Sequence, residues 1–324
     1  MRSLDTTSSA SSDSGSVAHM PDQDYLPRSW LDSLQGPFRW VLRAVVLVLA
    51  AMLIHLLVTS PSLQWHIVWH YFTSTEVLWG MLRTLELTAI AMIVGISLGA
   101  ALALMRLSQS RIISSPASLF IWFFRGTPLL VQVIFWFNLS SFIPRLSLGI
   151  PFGPDFVSAD VNRLVTPFVA AVLGLGLNEG AYMSEIVRAG ITSVDPGQQE
   201  ASLALGMTQS STMRRIVLPQ AMRVIIPPTG NQAIGMLKSS SLVSVTAMPE
   251  LLYSVQTIYA RTFETVPLLI VASIWYLVLT TIFSYGQYYV ERHYSRGSSK
   301  ALPPTPSERL RERIRLLSLM GQRG

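Results

Sequence analysis

Six polar or ionisable side chains stand out within two stretches long enough to span a bilayer. Asn178, Glu179, Tyr182 and Glu185 fall within Pro167–Val187, and Asn231 and Lys238 fall within Pro227–Met248. An ionisable group in an apolar span is costly to keep there and is a functional candidate for that reason. On a helix, Asn178, Tyr182 and Glu185 share one face, and Asn231 shares a face with Lys238. Charged and amide groups at such positions can line a path for a polar substrate. Each charge also has a structural alternative: Glu185 can pair with Arg188 three residues on, and Lys238 with a glutamate of the preceding span. Bond-breaking chemistry has little support. The chain has no cysteine, which removes disulfides, thiolate metal sites and cysteine nucleophiles. It has no Gly-rich phosphate loop followed by Lys-Ser or Lys-Thr, so it is not expected to bind or hydrolyse ATP itself. His66 and His70 are i, i+4, a spacing that can hold a metal, yet no acidic ligand clusters beside them and no metal site is expected.

The elements that must position these groups follow from composition. Half of the 324 residues are hydrophobic and 13% are charged, against about 25% charged in ordinary soluble domains. A bilayer core needs about 20 apolar residues in helical form. Six stretches qualify: Trp40–Thr59, Leu85–Leu104, a broken third span (Leu119–Phe124, interrupted at Arg125–Pro128, then Leu129–Ile143), Pro167–Val187, Pro227–Met248 and Val266–Tyr288. The expected fold is an all-α membrane protein with six transmembrane helices. Residues 1–39 are polar and Ser-rich and read as a disordered tail. That region is too long for the start of a signal peptide. Of the 24 Lys and Arg, 18 fall on one set of connecting segments and 4 on the other. The split places both termini in the cytoplasm and accounts for the formal charge of +6 without nucleic acid. The basic residues 293–324 form a cytoplasmic tail. Within it, Ser307 can cap an amphipathic helix carrying Leu310, Ile314 and Leu317 on one face, with arginines to meet anionic head groups.

Residues 189–226 are the longest inner connection, and they do not read as a loop. Asp195-Pro196 is a cap followed by proline at the first helical position, and Gln198 stands where a capping-box partner belongs. Gln199 to Leu205 reads as helix, with Gly206 as its stop. A second helix starts near Ser210 or Ser211 and runs to Pro219. A short capped helix with an apolar face on the inner side calls for a partner, and a groove on a soluble protein is one way to cover it.

The spacing Glu200-Ala201-Ser202, three residues, Gly206, nine residues, Ile216-x-Leu218-Pro219 resembles the signature loop of binding-protein-dependent ABC transporter permeases. Ser202 replaces the second alanine of that motif, one small residue for another. Three further segments resemble the polar amino-acid branch of the family: Arg125–Gln132, Ala181–Ile191, and Leu218–Arg223 continuing through Pro227–Asn231 to Lys238–Leu242. The likeness covers about residues 75–292. It implies a five-helix importer-type core, with residues 40–59 as one extra N-terminal helix. It also implies a pair of permease subunits, the same chain twice or two related ones. Each holds a cytoplasmic ATP-binding subunit through Glu200, Ala201, Ser202, Gly206, Ile216, Leu218 and Pro219. ATP and Mg would sit on that partner, with no cofactor on this chain. An extracytoplasmic amino-acid-binding protein would deliver cargo, and the chain would lie in the bacterial inner membrane as a multi-pass protein. Asn178, Tyr182, Glu185, Asn231 and Lys238 are the pathway candidates. An ion-gradient-driven secondary transporter is the alternative, although the inverted repeat usual there is not visible in the spans.

Overall fold

A computed structural model describes residues 37–149 and 155–294, mostly helical. The C-terminal amphipathic helix and nearly all of the N-terminal tail expected from the sequence lie outside those residues. The chain divides into two units, with the boundary in sequence between Ser60 and Pro61. The first holds α1 (Pro37–Thr59), an apolar helix whose Arg43 guanidinium lies 5.2 Å from the Trp40 ring centroid.

The second unit opens with a 3-10 turn (Pro61–Leu63), α2 (Trp65–Phe72) and the long α3 (Thr75–Leu107). It continues through α4 (Arg111–Gly126), α5 (Leu129–Phe137) and α6 (Leu139–Phe142) into an antiparallel hairpin of β1 (Arg145–Gly149) and β2 (Asp155–Asp160). Then come α7 (Val161–Leu164), α8 (Pro167–Thr192), α9 (Pro196–Ala204) and α10 (Gln209–Thr212). A π turn (Met213–Val217) leads into α11 (Leu218–Ser239), a 3-10 turn (Ser240–Thr246), α12 (Leu251–Thr262) and α13 (Thr265–Tyr294). Among the described residues, α1, α3 and α13 are long and apolar enough to cross a membrane, and α4 with α5 qualifies as one broken span. Helices α8 and α11 have the length but are interrupted by polar residues.

The second unit is built on α3 against α8. Gly95 and Gly99 of α3 make room for Glu179 and Met183 of α8, and Gly176 and Gly180 of α8 make room for Val94 and Leu98 of α3, two Gly-x-x-x-Gly pairs that let the helices approach closely in an apolar medium. A Cβ at Gly99 would lie 2.5 Å from the Met183 Cβ and 2.9 Å from the Ser184 amide nitrogen. One core joins Leu87, Met92, Val133, Leu175, Met236 and Val243, and so ties α3, α5, α8 and α11 together. A second joins Val68, Val77, Leu251, Val255, Leu268 and Val271 across α2, α3, α12 and α13. Trp275 pins α2 by donating its indole N–H to the Phe72 carbonyl at 2.9 Å, while the two rings stack.

Three sequence expectations need correction. The third span breaks at Arg125–Pro128 as the sequence reads, with its arms at 103°, but its second arm stops at Phe137 rather than Ile143. Pro128 withdraws a backbone donor at the elbow. The buried Gln132 amide fills the gap, donating to the Phe124 carbonyl at 2.9 Å, the Thr127 carbonyl at 3.1 Å and the Thr127 hydroxyl at 2.7 Å. The fifth span begins well before Pro227, since Pro227 and Pro228 lie inside α11. Pro219 does not end a helix either. The π turn shifts the local bonding so that the Leu218 N–H donates to Met213, and the chain stays helical from Gln209 to Ser239. Beside the proline pair, the Gln287 amide of α13 donates to the Pro227 carbonyl at 2.7 Å and ties α11 to α13.

Candidate functional site

Two places carry the sequence candidates. The first is the segment between α8 and α11. The Asp195 carboxylate accepts from the Gly197 N–H at 2.8 Å and Pro196 occupies the first turn, so α9 starts where the cap signal puts it. Among the described residues no side-chain bond from Gln198 back to Asp195 completes a capping box. The stop at Gly206 is a Schellman motif: the Gly206 N–H donates to Leu203 and the Met207 N–H to Ser202, with Gly206 at φ +81°. Ser202 is buried and turns its hydroxyl onto the Gln198 and Gln199 carbonyls, so the serine in place of alanine is absorbed within its own helix. Glu200, Ala201, Leu203 and Leu205 remain exposed, Leu205 at 84%. The next helix is capped by Thr208, not by Ser210 or Ser211; its hydroxyl accepts from the Ser211 N–H. The outcome is a short rigid helix ending in an apolar knob, followed by a helix that carries Ile216, Leu218 and Pro219 directly into α11.

The second place is the face of α8 toward α4. Glu185 is met by Arg106 from α3, by Arg188 one turn on at 2.9 Å, and by Arg125 from the end of α4 at 3.5 Å. Three guanidinium groups around one carboxylate leave a local excess of positive charge. The Arg125 guanidinium also lies 5.3 Å from the Tyr182 ring centroid, an attractive cation–π arrangement. Arg106, Arg125, Tyr182 and Glu185 help line a cavity of about 420 Å³. Asn178, deeper along the same face, donates to the Phe124 carbonyl at 2.9 Å and to the Gln132 side-chain oxygen at 3.2 Å. The α8 trio is thus assembled against the elbow between α4 and α5.

Asn231 and Lys238 do not join it. Asn231 donates to Glu291 of α13 at 3.2 Å. Lys238 is exposed and has no ion pair among the described residues, which removes the pairing with a glutamate of α8.

Two acids lie outside the shared-face candidates. Glu179 is 5% exposed, lies beside the Gln232 amide of α11, and has one carboxylate oxygen with no hydrogen-bond partner. It shares the apolar stretch of the trio but points the other way around α8, so the face count passed over it. Glu250 is fully buried, accepting from the Thr84 and Tyr276 hydroxyls at 3.3 and 2.8 Å and from the Tyr253 N–H at 2.7 Å. It caps α12 while fastening it to α3 and α13. Pro249-Glu250 before an apolar run was the available signal, weakened because Glu is not among the favoured caps.

The sequence and fold have close counterparts. A family model described as the binding-protein-dependent transport system inner membrane component matches residues 92–296. The chain is 46% identical over 277 residues to the arginine transport system permease protein ArgU of Corynebacterium glutamicum, covering 83% of this chain and 84% of that one. It is 36% identical over 222 residues to the L-cystine transport system permease protein TcyB of Bacillus subtilis, covering 68% and 87%. Among solved structures, an amino acid ABC transporter with histidines superposes with a TM-score of 0.58 at 36% identity, covering 67% of this chain and 94% of that one. The chain therefore belongs to the binding-protein-dependent transport system inner membrane component family.

Proposed function

We propose that this chain is the membrane-spanning permease subunit of an ATP-driven importer of polar amino acids, coupled through the α9 segment to a separate ATP-binding subunit. The observation that carries the coupling is the capped α9 helix with its exposed Glu200, Leu203 and Leu205, followed after the Gly206 stop by a helical run from Gln209 into α11. The substrate class follows relatives named for arginine, cystine and nopaline. A buried carboxylate at Glu179 with an unused oxygen favours cargo that brings a cation. In this reading the bilayer is crossed by six helices, with both termini and α9 in the cytoplasm of a bacterial cell and α1 as an extra helix ahead of a five-helix core. Two permease subunits pair, ATP and Mg bind the partner ATPases, and a binding protein delivers cargo from outside. Asn178, Tyr182 and Glu185 line the route on α8, with Asn231 and Lys238 contributing from α11. ATP-driven closure of the partners rocks the helices between inward- and outward-open states.

Reconstitution with the partner ATPase and binding protein, followed by a screen of labelled amino acids, tests the whole reading. ATP-dependent uptake of arginine, lysine or a related cation-bearing amino acid is expected, with Glu179→Gln reducing it in favour of neutral competitors. Uptake that persists without ATP and follows an ion gradient would overturn it.

A further inference from the structure

Beside the apolar knob of α9 lies a second surface that the signature spacing does not address. Thr208, Ser210, Ser211, Arg214 and Arg215 line a cleft of about 490 Å³ on the π turn and the short helix before it. No acidic residue lines it. Arg214 and Arg215 are both exposed and neither has an ion pair or hydrogen bond among the described residues. Four other arginines of the unit do have carboxylates: Arg106, Arg125 and Arg188 share Glu185, and Arg83 is paired with Glu86 at 2.6 Å. Two neighbouring cations held without a counter-charge repel each other, and a partner that supplies carboxylates relieves that repulsion while the hydroxyls complete its hydrogen bonds. The cleft is continuous in sequence with Gly206 and the exposed Leu205, so a body seated on the knob also reaches the arginines.

We propose that the docking surface is bipartite: Leu203 and Leu205 fill an apolar groove of the ATP-binding subunit, and the Arg214–Arg215 cleft receives an acidic segment of the same subunit. This rests on the coupling reading above and adds the charge of the partner's facing surface. The ion-pair half sets salt sensitivity and association rate, whereas the apolar half does not.

The absence of cysteine allows a direct test. A Ser210→Cys variant in the complete complex, treated with a short thiol-to-carboxylate cross-linker, is expected to join an Asp- or Glu-rich segment of the ATP-binding subunit, read by peptide mass spectrometry. Arg214→Glu with Arg215→Glu is expected to weaken capture of that subunit by about tenfold or more at low salt and to flatten its salt dependence. Arg214→Lys with Arg215→Lys keeps the charge and is expected to retain binding, which separates loss of charge from misfolding. Leu205→Asp serves as the reference for coupling itself. If Leu205→Asp releases the subunit and the arginine reversal does not, the acidic-partner proposal is overturned and coupling through α9 stands. If neither variant releases it, the coupling reading falls as well. Cross-links confined to a segment without acids, or loss of binding that appears only in vesicles containing anionic lipid, would assign the cleft elsewhere and overturn the proposal.

Discussion

Gly206 offers the cleanest perturbation in the chain. Its φ of +81° lies in the left-handed region, and a Cβ built there meets nothing within 4 Å. A Gly206→Ala variant therefore clashes with no neighbour, and its whole cost is the residue's own backbone. That cost is about 1–2 kcal/mol for an alanine held in the left-handed conformation, or roughly a 5- to 30-fold shift in population. It falls on the Schellman bonds from Gly206 to Leu203 and from Met207 to Ser202, which fix where α9 ends and hence where Leu205 points. Helix α9 has nine residues, too few to hold itself without its caps. The α3–α8 bundle should be untouched. The expected result is a roughly 5- to 30-fold loss of affinity for the ATP-binding subunit, measured by titration against the permease in nanodiscs, with an unchanged unfolding midpoint for the permease alone. Gly206→Asn should lose less, because asparagine tolerates the left-handed region better than alanine. Full affinity in the alanine variant would refute the reasoning. So would equal losses for alanine and asparagine, since only backbone preference separates the two.

Other expectations follow from the packing. Glu250→Ala leaves the Thr84 hydroxyl, the Tyr276 hydroxyl and the Tyr253 N–H without their acceptor; at about 1–3 kcal/mol for each buried orphan, the unfolding midpoint in detergent should drop sharply, with Glu250→Gln in between. Gly99→Ala should cost about 1–3 kcal/mol by forcing α3 and α8 apart, while Gly235→Ala, with open space around its Cβ, should be neutral or stabilising in the same assay. Glu185→Gln strips three arginines of their shared carboxylate, and Lys238→Met removes an exposed, unpaired cation. Both should change the uptake rate or apparent affinity more than the amount of chain in the membrane, and normal uptake in both would return them to structural duty.

The sequence made local chemistry legible where one residue type has one physical use. Asp195-Pro196 and Gly206 bound α9 because a cap and a left-handed stop are decided within a few residues. The same local rules failed at Pro219, Pro227 and Pro228, which read as helix boundaries and lie inside one helix. The π turn ahead of Pro219 is a shift in bonding, and the Gln287 contact at Pro227 comes from a residue 60 positions away. Gly-x-x-x-Gly spacing was present on both α3 and α8, yet the pairing of those two helices is a tertiary fact. The α8 face of Asn178, Tyr182 and Glu185 was visible from periodicity. The Arg106 and Arg125 that complete it come from two other helices, and the same periodicity set Glu179 aside because that residue faces α3 and α11 instead.

The correction at Pro219 changes how force would pass through the molecule. With the helix ending there, the α9 segment would be a loop tethered to the bundle by a flexible joint. With Gln209–Ser239 as one helix, the α9 segment joins, across the Gly206 turn, the end of a rod roughly 45 Å long at 1.5 Å per residue. That rod carries Arg214 and Arg215 near one end and Asn231 and Lys238 toward the other. It touches α8 where Gly190 makes room for Ile225, and it touches α13 where Gly230 makes room for Gln287. Both contacts use a glycine against a side chain, which resists approach more than it resists sliding or rotation about the contact. A push on α9 would then turn α11 about those two points and move Asn231 and Lys238 relative to the fixed Glu185 cluster. Bulk at either pivot should block that rotation without touching docking. Gly230→Ala is the sharper case, because its Cβ would collide with the Gln287 side chain. It should leave ATP-binding subunit affinity intact while uncoupling ATP hydrolysis from uptake, and Gln287→Ala placed beside it should restore coupling by vacating the space. Failure of that rescue would mean that the two helices do not pivot there.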